Sequence, residues 1–161
     1  DNTILDEEIR MVASLGCEIC TAVRVASDMD IVDANIVKAV LSSSSDVSYL
    51  SRAPIPFPFT QLSLEAIRQS SKSNPLWGHL GVTCYSRRAA EAYLGNGEAD
   101  IERIEGIDLL RAVSIGIKIK AVRSPRMSIS LNSPSDAFAI EATISKLRVS
   151  EGKPPRIPKM F

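Results

Sequence analysis

Arg52 stands where an extended segment, Val47-Ser48-Tyr49-Leu50-Ser51, runs out into Pro54 and Pro56. A guanidinium there offers a planar fork of N–H donors suited to a carboxylate or phosphate, or to pairing with a neighbouring Asp or Glu. Carboxylates recur along the chain: Asp1 before a helix, Glu105 and Asp108 three apart on one helical pattern, and Asp136 after an Asn132 cap. A magnesium site handling phosphate wants one or two carboxylates brought together, with water and phosphate oxygens filling the rest. The competing reading of Glu105 and Asp108 is a charged, solvated helix face. His79 is the single histidine. A Ser-His-Asp hydrolase would have to use it, but the chain has no G-x-S-x-G elbow, which favours a polar residue fixing a strand end. Cys17-Glu18-Ile19-Cys20 is a C-x-x-C without a second ligand pair, since only Cys84 and His79 remain. Residues three apart on a strand point to opposite faces, so these read as packing cysteines and not as zinc ligands or a redox pair.

The elements that must position these groups follow from periodicity. Asp6 to Leu15 has acidic residues in its first turn, apolar residues at 9, 12 and 15, and Gly16 as a stop, the pattern of a short amphipathic helix. Glu18 to Val25 alternates as a strand, and Ser27-Asp28 reads as the turn after it. Ile36 to Leu41, apolar apart from Lys38, is a second strand, and the polar Ser42 to Asp46 returns it into Val47, so residues 35–52 make a β-hairpin. Residues 53–75 carry prolines and no sustained period, which predicts an irregular excursion with one helical turn near Leu64 to Ile67. Leu76 to Tyr85 is strand-like, Arg87 to Leu94 is a helix stopped by Gly95-Asn96-Gly97, and Ile101, Ile104, Ile107 and Leu110 predict one further helix ending near Gly116. Ile117 to Val122 alternates as a strand, Met127 to Leu131 is a short extended segment, and Pro134 opens a helix running to about Leu147. Glu151 to Phe161 reads as a Pro-rich, basic, solvated tail. Strands and helices alternate around a hairpin, so the fold class is α/β with a mixed sheet.

At 161 residues one domain is the default. Lys+Arg and Asp+Glu are both 19, so no net field steers nucleic acid or an anionic membrane toward the chain. No apolar run approaches a membrane span, and three cysteines without a signal-peptide pattern point to a reducing compartment, the cytoplasm.

Several segments, taken in order, resemble the CMP-Kdo synthetases, cytidylyltransferases that activate the sugar acid 3-deoxy-manno-octulosonate. Asp33-Ala34-Asn35-Ile36-Val37-Lys38-Ala39-Val40 is similar to that family's N-P-N-x-V-K-V-V, and Tyr49 to Phe57 (YLSRAPIPF) to its Y-F-S-R-A-x-I-P-W. Trp77 to Tyr85 (WGHLGVTCY) looks like K-H-L-G-I-Y-x-Y, Ile104 to Arg111 (IEGIDLLR) like I-E-x-L-E-Q-L-R, and Leu131 to Asp136 (LNSPSD) like V-D-T-P-E-D. The resemblance covers nearly the whole chain but only the later part of such an enzyme. Asp1-Asn2-Thr3 falls at the family's D-E-P, so the first strand and the P-A-R-x-x-S-x-R-L-P-x-K loop that grips CTP phosphates are expected to be missing. Gly95-Asn96-Gly97 follows a helix and not a strand, and so offers no substitute.

The resemblance implies a mainly parallel, Rossmann-like nucleotidyltransferase sheet with an inserted hairpin. It implies CMP transfer from CTP to a sugar acid with release of pyrophosphate, Mg²⁺ as cofactor and a homodimer built on the excursion of about 54–76. Residues 1–150 are then the C-terminal portion of the catalytic domain and 151–161 a tail. Asp1 and Asn132 take the metal and catalytic positions, while Arg52, His79, Tyr85 and Asp108 line the sugar-acid pocket, with Arg52 on its carboxylate. Three departures stand out: Asn132 replaces a metal-binding Asp, Leu109 replaces a Gln facing the sugar, and Thr83 and Ser86 replace a Tyr and usually an Arg. An amide ligand brings no charge, so metal affinity falls. The expectation is a divergent relative, inactive as these 161 residues alone, with a non-catalytic sugar-acid-binding or dimerisation module as the alternative.

Overall fold

Ile19, Thr21 and Val23 alternate with Cys20, Ala22 and Arg24 in strand β1 (Ile19–Val25), and its first six residues are all buried. Burial on both faces is the mark of a strand inside a sheet. The computed structural model describes residues 3–14, 16–57, 63, 65, 66, 69, 75–124, 134–150 and 152. They fall into two units, Asp1–Arg126 and Met127–Phe161.

The first unit holds helix α1 (Thr3–Ser14), β1, helix α2 (Asp28–Val32) and the hairpin β2 (Lys38–Leu41) and β3 (Val47–Ser51). Strand β4 (Trp77–Tyr85), helices α3 (Arg87–Gly95), α4 (Asp100–Glu105) and α5 (Leu109–Ser114), and strand β5 (Ile119–Arg123) follow. The strands form one sheet in the order β3-β2-β4-β1-β5. The α/β class, the mixed sheet and the hairpin are as expected. Parallel pairing does not predominate, however: among the described strands only β1 and β5 run parallel, and the other three pairings are antiparallel. The hairpin returns on itself and β4 runs back along β1, whereas the β1–β5 pair has α3, α4 and α5 in its crossover. β2 meets β4 only at Lys38–Gly78 and Ala39–Trp77, and His79 N–H adds a bond to Val37 O at 2.8 Å. The hairpin tip curls onto the far edge, where Ala121 N–H donates to Ser45 O at 2.8 Å and Lys120 Nζ lies 2.7 Å from Asp46 Oδ1.

One face of the sheet, with Ile19, Val23 and Ile119, packs on Ala89 of α3 and on Leu109, Leu110 and Ala112 of α5. α1 covers the other face. α2 is an element the sequence reading took for a turn; Ser27 caps it, its side chain accepting from Asp30 N–H while the Asp30 carboxylate accepts from Ser27 N–H.

The single helix expected from Ile101 to near Gly116 is two. Gly106 adopts φ 62°, ψ 40° at the end of α4, and the Asp108 side chain caps α5. A Cβ at Gly106 meets nothing closer than Arg52 Nε at 3.7 Å, so only the left-handed backbone penalises a larger residue. Gly106→Ala is therefore expected to lower unfolding free energy by about 1 kcal/mol in urea titration. A loss several times larger would mean that the turn itself fails.

The second unit contains α6 (Pro134–Ser150), with Pro134 in its first turn, and Gly152 at φ 72° donates to Val149 O at 3.0 Å just beyond it. The Met127 to Leu131 segment, the Asn132 cap and the tail from Lys153 lie outside the described residues. No helix among the described residues is long and apolar enough to cross a membrane.

Candidate functional site

Opposite Ala22 of β1, strand β4 bulges: Thr21 pairs with Thr83 and Val23 with His79, leaving Leu80, Gly81 and Val82 to span one β1 residue. Gly81 takes φ 70° there. The bulge brings three partners to the Thr21 hydroxyl: Val82 O at 2.8 Å, His79 Nε2 at 2.6 Å and Thr83 Oγ1 at 3.0 Å. A hydroxyl has one proton, and the Val82 carbonyl can only accept it. His79 Nε2 must then carry hydrogen and donate to Thr21, which leaves the Nδ1 lone pair as the ring's acceptor. Burial holds the His79 pKa below its ordinary value, with the Asp108 charge opposing, so the ring is neutral at pH 7.

Tyr85, opposite Ile19 on the same sheet face, is pushed up to about 12, by burial first and then by the nearby Asp108 charge. It remains a hydrogen-bond donor at any physiological pH. Its ring lies 5.6 Å from that of Tyr93, whose hydroxyl donates to Asp108 O at 3.2 Å. Arg111 sits 4.5 Å over the Tyr93 ring and makes two bonds, 2.8 and 2.7 Å, to the buried Glu102 carboxylate. Asp108 Oδ1 accepts from Leu109 N–H at 2.9 Å. The charge of Asp108, just past the Gly106 turn, thus acts on both His79 and Tyr85 of β4, which adds a carboxylate to a neutral imidazole acceptor and a phenol donor. Such a set suits the hydroxyls of a polar ligand.

Arg52 reaches the other side of that turn. Its Nε donates to Glu105 O at 2.8 Å, Nη2 to Gly106 O at 3.0 Å and Nη1 to Ala34 O at 2.9 Å. Glu105 does not share a helix with Asp108 as expected; it ends α4, and its carboxylate accepts from Ser51 Oγ at 2.6 Å and Arg52 N–H at 3.0 Å. Neither reading made of Glu105 fits: it is neither a metal carboxylate beside Asp108 nor a solvated face. Leu109 is 1% exposed in the core.

Asp1 and Asn132 lie outside the described residues, and among the described residues no group of three His, Cys, Asp or Glu side chains could hold a metal ion. Cys17 precedes β1, so the argument that it and Cys20 face opposite ways on one strand does not apply. Cys20 is fully buried and its thiol is pushed up to about 12, by that burial first and then by the neighbouring Cys17. Sequence reasoning missed Thr21, Tyr93, Glu102 and Arg111. Only Thr21 left a signal, a hydroxyl at an inward position of an apolar strand. Most of the excursion proposed for dimerisation lies outside the described residues; within it Phe57 is half exposed.

The mixed α/β sheet has the fold of a solved synthetase. Its likeness to the solved CMP:2-keto-3-deoxy-manno-octonic acid synthetase complexed with CTP has a TM-score of 0.73 at 21% identity, over 90% of this chain and 55% of that one. No family model matches the chain. The 3-deoxy-manno-octulosonate cytidylyltransferase of Syntrophotalea carbinolica is 33% identical over 115 residues, 71% of this chain and 46% of the relative. That of Thermodesulfovibrio yellowstonii is 32% identical over 77% of this chain and 47% of the relative. The 8-amino-3,8-dideoxy-manno-octulosonate cytidylyltransferase of Shewanella oneidensis is 32% identical over 83% and 48%. Over most of its length the chain is thus similar to octulosonate cytidylyltransferases. It spans about half the length of the curated relatives it matches.

Proposed function

We propose that these residues form the sugar-acid side of a cytoplasmic, homodimeric cytidylyltransferase that transfers CMP from CTP to a 3-deoxy-octulosonate-type acid, activating a lipopolysaccharide precursor. The observation that carries the reading is that His79 and Tyr85 share one face of β4 and both feel the Asp108 charge, in a chain whose relatives bear cytidylyltransferase names. In the reaction the acid's anomeric hydroxyl oxygen attacks the α-phosphorus of CTP. The new P–O bond forms as the α–β anhydride bond breaks, and pyrophosphate leaves. His79 Nδ1 and the Asp108 carboxylate accept from sugar hydroxyls, and the Tyr85 hydroxyl donates. Orientation of this kind is worth orders of magnitude in rate. Asp1 and Asn132 are the residues proposed for Mg²⁺, which supplies charge neutralisation on the phosphates. Both lie outside the described residues.

The test is pyrophosphate release by the complete polypeptide with CTP, Mg²⁺ and a panel of 3-deoxy-manno-octulosonate, its 8-amino analogue and sialic-type acids. Turnover with one octulosonate is expected, falling about 100-fold in His79→Ala and in Asp108→Asn. The 161 residues alone are expected to release none. Silence of the complete polypeptide with every acid would favour the alternative, a non-catalytic sugar-acid-binding or dimerisation module, to which the neutral amide of Asn132 already leans.

A further inference from the structure

Two dipeptides, Ser51-Arg52 at the end of β3 and Glu105-Gly106 at the end of α4, grip each other reciprocally. Ser51 Oγ and Arg52 N–H donate to the two oxygens of the Glu105 carboxylate, while Arg52 Nε and Nη2 donate to the consecutive carbonyls of Glu105 and Gly106. Nε–H and one Nη2–H are the pair that would otherwise meet a carboxylate side-on. Here that edge of the guanidinium is committed to backbone. The electrostatics suit the arrangement, because the last carbonyls of a helix carry partial negative charge and lack intrahelical partners. Nη1 ties in a third segment through Ala34 O. Two residues beyond the gripped Gly106, past the buried Ile107, comes Asp108.

We propose that Arg52 is a positioning residue: with Ser51 and Glu105 it locks the Gly106 turn and so fixes the Asp108 carboxylate against His79 and Tyr85, instead of binding the substrate's carboxylate itself. The functional weight of this rests on the reading of that trio as the sugar-acid face, but the positioning can be tested without any turnover. Asp108 has few other anchors. One carboxylate oxygen takes Leu109 N–H, at the start of the helix whose entry angle the turn sets, and its carbonyl takes the Tyr93 hydroxyl and Arg111 N–H. Arg52→Met removes the three side-chain donors and leaves the strand-end backbone bond. The turn should then relax and the carboxylate withdraw from the imidazole.

His79 reports on this directly, because it is the chain's single histidine and its ring can be titrated by NMR without overlap. Its ring nitrogen meets the Thr21 hydroxyl, uncharged throughout, and Asp108 is the charged group that acts on it. Tyr85 and Tyr93 stay protonated across the titration. Asp108→Asn should lower the His79 midpoint. Arg52→Met should lower it in the same direction by at least half as much, and the double variant should go no further than Asp108→Asn alone, the non-additivity of residues acting through one another. Arg52→Lys, which keeps the charge but not the fork, should fall between wild type and Arg52→Met. An unmoved midpoint in Arg52→Met beside a lowered one in Asp108→Asn overturns the proposal, as does a double variant in which the two shifts add. If Arg52→Met does not melt cooperatively, Glu105→Gln, which weakens the same grip from the other side, is read by the same comparison. The pyrophosphate assay fails or succeeds independently, so a wrong substrate and a wrong positioning role give different results.

Discussion

Asp30→Asn is expected to destabilise the chain by about 3–5 kcal/mol, the cost of leaving one buried charge without its partner. Arg24 and Asp30 are 6% and 9% exposed, and the guanidinium meets the carboxylate through two bonds of 2.7 and 3.0 Å. The same carboxylate oxygen takes Ser27 N–H and Ser27 Oγ, each at 2.6 Å, so the substitution also loosens the start of α2. Set against the ~5–15 kcal/mol that holds an ordinary domain, this is a large fraction. Arg24 and Ser27 together hold the Asp30 carboxyl at about 2, below its ordinary 3.8. Its contribution is fully present above pH 3.8 and is lost as the pH falls toward 2, about 2 kcal/mol in all. Urea titrations from pH 7 to pH 2 should show that acid limb in the wild type and not in Asp30→Asn. Replacing both partners by apolar residues, Arg24→Met with Asp30→Leu, should recover much of the loss; a double variant as unstable as Asp30→Asn would mean that the cap to α2, and not the ion pair, is what matters.

Glu8 gives the opposite pH dependence. It lies fully buried between α1 and the sheet; Oε2 accepts a weak 3.5 Å bond from Cys84 Sγ, and Oε1 has no partner. Burial pushes its pKa from 4.5 up to about 7. The native chain therefore holds a proton there that the unfolded chain has given up, and stability falls as pH rises from 4.5 to 7. The total is about 3 kcal/mol, at about 1.4 kcal/mol per pH unit. The neighbouring thiols do not share the titration, since Cys20 is pushed up to about 12 and Cys84 is also raised. Glu8→Gln should match the wild type near pH 4.5 and exceed it by about 3 kcal/mol at pH 8. Parallel stability curves for the two proteins between pH 5 and 8 would show that Glu8 reaches water or another partner.

The contrast between these two acids marks what the residues alone could convey. Strand and hairpin positions were legible because β-branched residues alternate in β1 and a serine run separates β2 from β3. The break at Gly106 was not. Apolar residues at 101, 104, 107 and 110 keep their spacing through two short helices as readily as through one, yet Ile104 proves 81% exposed. Gly106 followed by Asp108 was the available signal, a left-handed stop and then a cap. Glu8 read as a first-turn acid complementing the helix dipole, and nothing local says that this turn faces the sheet. Arg24 and Asp30 lie on opposite sides of a turn, and Glu102 and Arg111 nine positions apart across a break, so neither pair has helical spacing. His79 and Asp108 stood out by residue type, but their grouping with Tyr85 came only from the ordered motifs. The guanidinium of Arg52 was read as a fork for a carboxylate or phosphate, but its partners are main-chain carbonyls, which no side-chain pattern encodes.

The central place of β1 also governs the order in which the chain can fold. Ile19 pairs with Tyr85 on one side and with Ile119 on the other, a hundred positions later. Contacts of such long separation make folding slow, because loop closure must come before the pairing that rewards it. The β2–β3 hairpin closes locally and can form early, and its tip must then wait for Ala121 to arrive. During synthesis β1, with its buried Ile19, Cys20 and Val23, therefore has no partner until β4 has left the ribosome and keeps one open edge until β5 follows, and that interval is when the nascent chain most needs a chaperone.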